Sequence, residues 1–202
     1  MAKGLRIASW AVAIAIVALC NGGFLAFVVM AIAEESGNVA ASFLTETVVE
    51  GVAPAMWVII PLLQVASVVL GAVAAASRQP AALVTCRSIM LLFKVGLIPF
   101  FLCGAVVELL FLVLGLHPVL PFVGWAMGAA LGIMGWLTMF SGSMWAIATA
   151  VHLYRQRIAS GGELAAHIVL QLMFVADVVD AVILFVRSKA PAAALRAQEL
   201  PR

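Results

Sequence analysis

The chain alternates between long apolar stretches and short polar connections. Each apolar stretch reaches the length of about 20 residues that a helix needs to cross the hydrocarbon core of a bilayer. The five stretches lie at roughly 7–33, 54–76, 84–114, 121–152 and 164–186. The pattern therefore predicts an all-α integral membrane bundle of five transmembrane helices in one domain (1–187), followed by a disordered tail (188–202).

The composition supports a membrane protein over a soluble one. Of the 202 residues, 66% are hydrophobic and 10% are charged, and the mean hydropathy is +1.22, whereas a soluble domain is about half apolar and about a quarter charged. The lipid bilayer is thus the first expected partner. A net charge of +2 without a basic cluster argues against nucleic-acid binding.

The lysines and arginines predict the orientation, because short cytoplasmic segments carry more of them than outer loops do. With the amino terminus inside, the inner segments hold Lys3, Arg6, Arg78, Arg87, Arg155 and Arg157. The two outer loops hold none. We therefore expect a multi-pass protein of the cell membrane with a cytoplasmic amino terminus. The first apolar run is longer than the core of about 7–15 residues in a signal peptide, so we expect this helix to be retained.

The tail conflicts with this orientation. Five spans place it outside, yet it carries Arg187, Lys189, Arg196 and Arg202. Either the tail departs from the rule or the segment 164–186 does not fully cross. The spanning length of that segment favours five spans, and the side of the tail stays open.

Lys94 lies inside the third apolar run, about 10 Å deep at 1.5 Å per residue. Pro99 removes a backbone hydrogen bond and frees the carbonyl of Val95 nearby. Three interpretations follow: a structural lysine held by carbonyls and headgroups, a functional lysine, and a lysine whose chain extends to the interface.

The last apolar run carries two sets of polar residues. Glu163, His167 and Gln171 recur every four residues and share a helix face, and Asp177 and Asp180 are also neighbours on a helix. Such ionisable groups at membrane depth mark candidate ion or solute sites. The sequence contains no serine elbow and no zinc-protease pattern, so we expect no enzyme, no catalytic residue, no metal site and no cofactor.

Helix rise groups the polar residues into two layers. The central to outer layer holds Asn21, Gln64, Glu108, Asp177 and Asp180. The lower layer holds Lys94, His167 and Gln171. Lys94 and Asp177 differ by about 10 Å in depth on this estimate. We therefore expect Lys94 to find its partners in the lower layer, and the two aspartates to share a cation or a proton.

The fourth apolar run carries glycines at a regular spacing. Gly124, Gly128 and Gly132 recur every four residues, and Gly135 extends the stripe. Small residues at this spacing let two helices approach closely in lipid. The stripe predicts packing against a helix of the same chain, or alternatively against a second copy or another membrane protein.

Three short stretches carry a family resemblance. They are Leu92-Phe93-Lys94 through Ile98-Pro99-Phe100-Phe101, then Gly115-Leu116-His117-Pro118, and Leu170-Gln171 through Phe174 and Asp177. Over roughly 85–186 the chain resembles an uncharacterised family of small polytopic bacterial membrane proteins, a domain of unknown function found in gut-type Gram-positive bacteria. The resemblance implies a bacterial plasma membrane and a compact helical bundle, and it implies no activity.

Two functions remain open at this point. The first is a non-enzymatic accessory or scaffolding subunit of a membrane complex, assembled through the glycine-rich fourth helix. The second is a small transporter or channel-like protein that binds a cation or proton at the intramembrane carboxylates.

Overall fold

The computed structural model describes residues 1–35, 53–174 and 176–199, and this part of the chain is helical without strands. The helices, in chain order, are α1 (Lys3–Glu35), α2 (Ala53–Ala76), α3 (Ala82–Gly96), α4 (Ile98–Leu114), α5 (Pro121–Arg155), α6 (Gly161–Leu170), α7 (Ala176–Arg187) and α8 (Lys189–Glu199). The all-α prediction is confirmed for these residues. The acidic loop that the sequence predicts on the outer side lies largely outside the described residues.

The long helix α5 lies at the centre of the bundle and packs against α2, α3 and α4. Its carboxyl-terminal half buries Trp145, whose indole N–H donates to the Ser67 hydroxyl at 3.0 Å. Further along, the ring of His152 contacts the Ala74 carbonyl at 3.0 Å. Trp145 and His152 thus find polar partners on α2 inside the core, as burial of their polar atoms requires.

The third predicted span is two helices instead of one. Helix α3 ends at Gly96, α4 begins at Ile98, and the two axes are bent by about 40°. Pro99 lies in the first turn of α4, where its missing N–H costs nothing, and it cannot continue α3 through this point. The bend therefore leaves backbone groups at the middle of the run without partners in their own helix.

The predicted fifth span, 164–186, is not a single helix. It forms α6 and α7, and contacts between them join Glu163 to Arg187, His167 to Asp180 and Gln171 to Asp177. These contacts are nested about the turn, with Gln171–Asp177 nearest to it and Glu163–Arg187 farthest from it, so the chain reverses direction as a helical hairpin. The 10 residues of α6 extend about 15 Å, half of the roughly 30 Å that a span must cover.

Three helices are long and apolar enough to cross a membrane: α1 over Lys3–Ala26, α2 over Pro54–Ala76, and α5. The bent pair of α3 and α4 makes a fourth if it is counted as one span. The prediction of five transmembrane helices is therefore not confirmed in the described part of the chain.

The tail also differs from its prediction as disordered, because Lys189–Glu199 forms α8. Alanine is the strongest helix former, and this segment is rich in it. Ala192 is buried, and its N–H donates to the Ser188 carbonyl at 3.1 Å. Burial of the helix face that contains Ala192 holds α8 against the bundle.

The glycine stripe packs against α4 within the chain. A Cβ at Gly124 would lie 2.1 Å from the backbone nitrogen of Gly115, and one at Gly132 would lie 3.0 Å from a Glu108 carboxylate oxygen. At Gly128 the nearest atom, on Leu112, is 3.5 Å away. Gly135 differs from its prediction, because a Cβ there meets nothing within 4 Å.

Gly124 and Gly135 lie on the same helix and differ in this contact, so they form a matched pair for mutagenesis. We expect Gly124→Ala to lower the free energy of unfolding by about 1–3 kcal/mol, because the methyl group forces the backbone at Gly115 to move. Gly135→Ala should be neutral or stabilising by up to about 1 kcal/mol through helix propensity. Unfolding of the purified variants in a denaturing detergent measures both, and equal effects would contradict the close α4–α5 contact.

Candidate functional site

Lys94 and Asp177 form an ion pair at the point where the α3–α4 bend meets the tip of the hairpin. The Lys94 ammonium donates to Asp177 Oδ2 and, at 3.2 Å, to the Ser143 hydroxyl. Ser143 in turn donates to the same carboxylate oxygen at 3.3 Å. The side chains of Lys94 and Asp177 are only 10% and 2% exposed, so both charges depend on each other and on Ser143.

The backbone favours each charge at its position. Lys94 lies in the last turn of α3, and Asp177 lies in the first turn of α7. Helix carboxyl ends stabilise cations, and helix amino ends stabilise anions. The α3–α4 bend and the hairpin turn therefore bring complementary helix ends together at the ion pair.

A second buried network joins the two limbs of the hairpin. His167 Nδ1 contacts Asp180 Oδ1, and the Gln171 amide donates to Asp180 Oδ2 at 2.6 Å. The same amide donates to the Asp177 carbonyl at 3.2 Å. Asp180 is fully buried, and each of its oxygens has a partner. The two aspartates therefore have separate side-chain partners, and the cation or proton predicted to be shared between them stays a prediction.

The predicted separation of Lys94 and Asp177 by about 10 Å in depth is wrong. The estimate assumes one straight helix over 164–186, whereas the chain reverses after Leu170 and returns with Asp177 near the tip. Lys94 consequently pairs with a residue that was assigned to the other layer. The lower-layer residues His167 and Gln171 instead hold Asp180.

Asn21 supports the bend itself. Its amide donates to the Gly96 carbonyl at 2.7 Å, and its oxygen accepts the Phe100 N–H at 3.1 Å. The backbone groups left by the break are thus satisfied by α1. The carbonyl of Val95, which the sequence assigns to Lys94, accepts a backbone N–H at the end of α3 instead.

Two further candidate residues, Gln64 and Glu108, make no hydrogen bond with the ion pair. Gln64 is buried and donates to Thr138 Oγ1 at 2.7 Å. Glu108 is partly exposed on α4 beside Gly132, and it makes no hydrogen bond or ion pair with the described residues. The predicted central layer of five polar residues therefore divides into separate local contacts.

Sequence reasoning missed Ser143, the hydroxyl that touches both members of the ion pair. The signal was present, because Ser143 and Ser141 are hydroxyl residues inside the fourth apolar run. Interpreting that run only through its glycines left these hydroxyl groups out.

The open end of the hairpin lies at the bundle surface. Ser160 and Glu163 form a capping box at the start of α6, and Glu163 also accepts from Arg187 at 3.0 Å. The Ser160 N–H and the Arg187 guanidinium hold the pKa of Glu163 below its ordinary value. Because that pKa is depressed, the contribution of the pair is present above the usual carboxylate range and is lost on acidification through it.

A cavity of about 150 Å³ adjoins the ion pair between the α3–α4 bend, α5 and the hairpin tip. Its polar lining comes from Lys94, Asp177 and Thr138, and most of the remaining wall is apolar, including Phe93 and Phe101. The hairpin tip closes one side, where Phe174 packs edge-on against Phe101 with ring centroids 5.3 Å apart. The cavity is therefore small and mostly apolar, with one ion pair in its wall.

Within the described ranges, no three His, Cys, Asp or Glu side chains are grouped so that they could hold a metal ion.

A family of unknown function (DUF6652) matches residues 4–190, so the chain belongs to that family. The match confirms the resemblance drawn from the last three runs and extends it over the first two helices. No curated protein and no solved structure matches the chain.

Proposed function

We propose that this DUF6652 member is a non-enzymatic, multi-pass protein of the bacterial cytoplasmic membrane, with four spans and both termini inside. Helices α1, α2, the bent pair α3–α4 and α5 are the four spans. The hairpin of α6 and α7 enters the bilayer from the cytoplasmic side and returns to it. Its polar side chains face each other and the bundle, because unpaired backbone groups and charges are costly at membrane depth.

The charge distribution supports this topology. The chain has 11 lysines and arginines, and all except Lys94 fall near the cytoplasmic ends of the helices or after the hairpin. The basic tail that conflicts with five spans agrees with four spans and a returning hairpin. On the same end, Arg155 donates to the Ala75 and Ser77 carbonyls at 2.6 and 2.8 Å.

Within this topology, the protein binds a small solute at the Lys94–Asp177 pair and carries it across the membrane. The observation that carries this function is the meeting of the α3–α4 bend and the hairpin tip at a buried ion pair beside a cavity. Irregular backbone at membrane depth is tolerated where it is buried in protein or lines a water-filled cavity. Transporters place discontinuous helices and ionisable groups at their substrate sites.

A transport site must be reached by water, which a thiol probe detects. We expect Met139→Cys, on the cavity wall, to react with a charged methanethiosulfonate roughly tenfold faster than Ile133→Cys, because only a hydrated thiol ionises. Ile133 lies on the same helix and is 61% exposed on the side away from the bundle core, so it is the matched lipid-facing control. Equal, slow reaction at both positions would contradict a solute path.

An accessory subunit is the second candidate, and α4 is the observation that favours it. No residue of α4 is buried in the described structure, and it carries the partly exposed Glu108. The glycines of α5 already pack against α4, so a partner would bind the outer face of α4 instead. A photoreactive side chain at Leu109 separates the two candidates: protein adducts favour a subunit, and lipid adducts alone favour the transporter.

A further inference from the structure

We infer that the cavity beside Lys94 and Asp177 takes a small organic monoanion with an apolar body, and that the anion binds together with one proton. This inference rests on the proposed function, because it names the substrate class of the same site. Four features carry it: the charge of the walls, the groups around the ion pair, the helix ends, and the size and lining of the cavity.

The first feature is the charge of the walls. Among the described lining residues, Lys94 and Asp177 are the charged ones, and as a pair they are neutral. A bare anion would meet the Asp177 carboxylate, and a bare cation would meet the Lys94 ammonium. Either would leave a net charge in a buried site, which is costly.

Adding a proton removes this conflict. When the Asp177 carboxylate takes up a proton, Lys94 keeps its positive charge and loses its partner. An anion that pairs with Lys94 then restores neutrality. One proton and one monoanion therefore enter together and leave together, with no net charge moved and no covalent bond changed except the O–H bond on Asp177.

The surrounding groups allow this exchange. Ser143 from α5 already touches both Lys94 and Asp177, so its hydroxyl remains a partner for either one in both states. From the hairpin, Asp180 is occupied by His167 and Gln171. Asn21 from α1 is occupied by the backbone at the bend. The groups packed around the pair thus leave Asp177 as the carboxylate facing both the cavity and Lys94.

The helix ends favour an anion over a cation. The amino end of α7, with Asp177 in its first turn, adjoins the cavity. This end carries partial positive charge. The carboxyl end of α3 and the amino end of α4 also adjoin the cavity and carry opposite partial charges that offset each other, so the amino end of α7 favours an anion near Lys94 once Asp177 is protonated.

Size and lining define the body of the anion. A cavity of about 150 Å³ lined by apolar side chains accommodates a molecule the size of benzene. The rings of Phe93, Phe101 and Phe174 form part of this wall. Short-chain and aromatic monocarboxylates combine such a body with a single charge, whereas a long acyl chain released from lipid would exceed the space.

Calorimetric titration of the full chain in lipid nanodiscs tests the inference, with benzoate as the probe. Titrations between pH 6 and pH 8, in two buffers of different ionisation enthalpy, count the protons taken up. Benzoate stays ionised throughout, since simple carboxyl groups ionise near pH 4. We expect uptake of one proton per benzoate, with affinity falling up to tenfold per pH unit as the pH rises. Benzamide and decanoate should bind more weakly than benzoate.

Three variants make the outcome specific. Asp177→Asn fixes the protonated form, so it should bind benzoate without proton uptake and with little pH dependence. Lys94→Met should lose binding, and Lys189→Met, which removes an exposed lysine outside the cavity, should bind as the parent does. The melting temperature of each variant verifies folding, and benzoate should raise that of Asp177→Asn.

Binding without proton uptake in the parent, tighter binding of decanoate, or failure of benzoate to bind the folded parent would overturn the inference. The reactivity of Met139→Cys needs no ligand. A reactive thiol there with no anion binding would remove the substrate class and leave the proposed transport function standing.

Discussion

Replacing Lys94 with methionine is expected to lower the free energy of unfolding by about 3–5 kcal/mol, the usual cost of removing one partner from a buried ion pair. Asp177 is 2% exposed and has Ser143 as its remaining side-chain partner. Its carboxylate would be left buried without its cation. Unfolding in mixed detergent micelles, followed by tryptophan fluorescence, measures the loss.

A double variant shows that the loss comes from the orphaned charge. Lys94→Met combined with Asp177→Leu should recover most of the stability, since well-packed apolar residues often replace a buried pair without cost. Lys189→Met is the control for loss of a lysine at an exposed position. If Lys94→Met is as stable as that control, the Lys94–Asp177 contact does not exist in the folded protein.

The second large effect concerns the two pairs that close the hairpin. Asp180→Ala should cost about 3 kcal/mol, because it leaves His167 and Gln171 buried without their acceptor. Glu163→Gln removes the charge from the other cross-hairpin pair and keeps an oxygen for the capping box. We expect this variant to melt close to the parent and well above Asp180→Ala, because the Glu163–Arg187 pair is partly exposed to solvent.

The comparison is internal to one hairpin. Both pairs join the same two helices, and they differ in burial: Asp180 is fully buried, and the side chain of Glu163 is 42% exposed. Equal melting temperatures for the two variants would mean that the limbs are not joined through Asp180.

The length of the apolar runs in the sequence predicted α1, α2 and α5, because an apolar run of this length in lipid has few alternatives to a helix. They did not predict the hairpin, since a hydropathy pattern records apolar length and not direction. Two signals were nevertheless present. The polar residues of 163–187 pair in a nested order about the hairpin tip, and the basic tail fits only an even number of crossings when the amino terminus is inside.

The residues of the site could be predicted from the sequence, but the contacts between them could not. Lys94, Asp177 and Asp180 stood out as charges in apolar runs, which is an energetic anomaly visible in sequence. Their partners depend on where the chain reverses, and the turn between Leu170 and Ala176 contains neither proline nor glycine. Depth estimated along a straight helix therefore assigned Lys94 the wrong partners.

The returning hairpin is the central claim, because Asp177 reaches Lys94 only if α7 turns back. Sided thiol labelling tests it most directly, in a variant without the three native cysteines, Cys20, Cys86 and Cys103. Single cysteines replace Ser42 in the first outer loop, which lies outside the described residues, Gln156 before the hairpin, and Ala197 after it. A membrane-impermeant maleimide is applied to spheroplasts and to inverted vesicles.

We predict that positions 156 and 197 label only in inverted vesicles and that position 42 labels only in spheroplasts. Labelling of position 197 in spheroplasts, with 156 still protected, would show that 164–186 crosses the membrane and would contradict the hairpin and the Lys94–Asp177 site built on it.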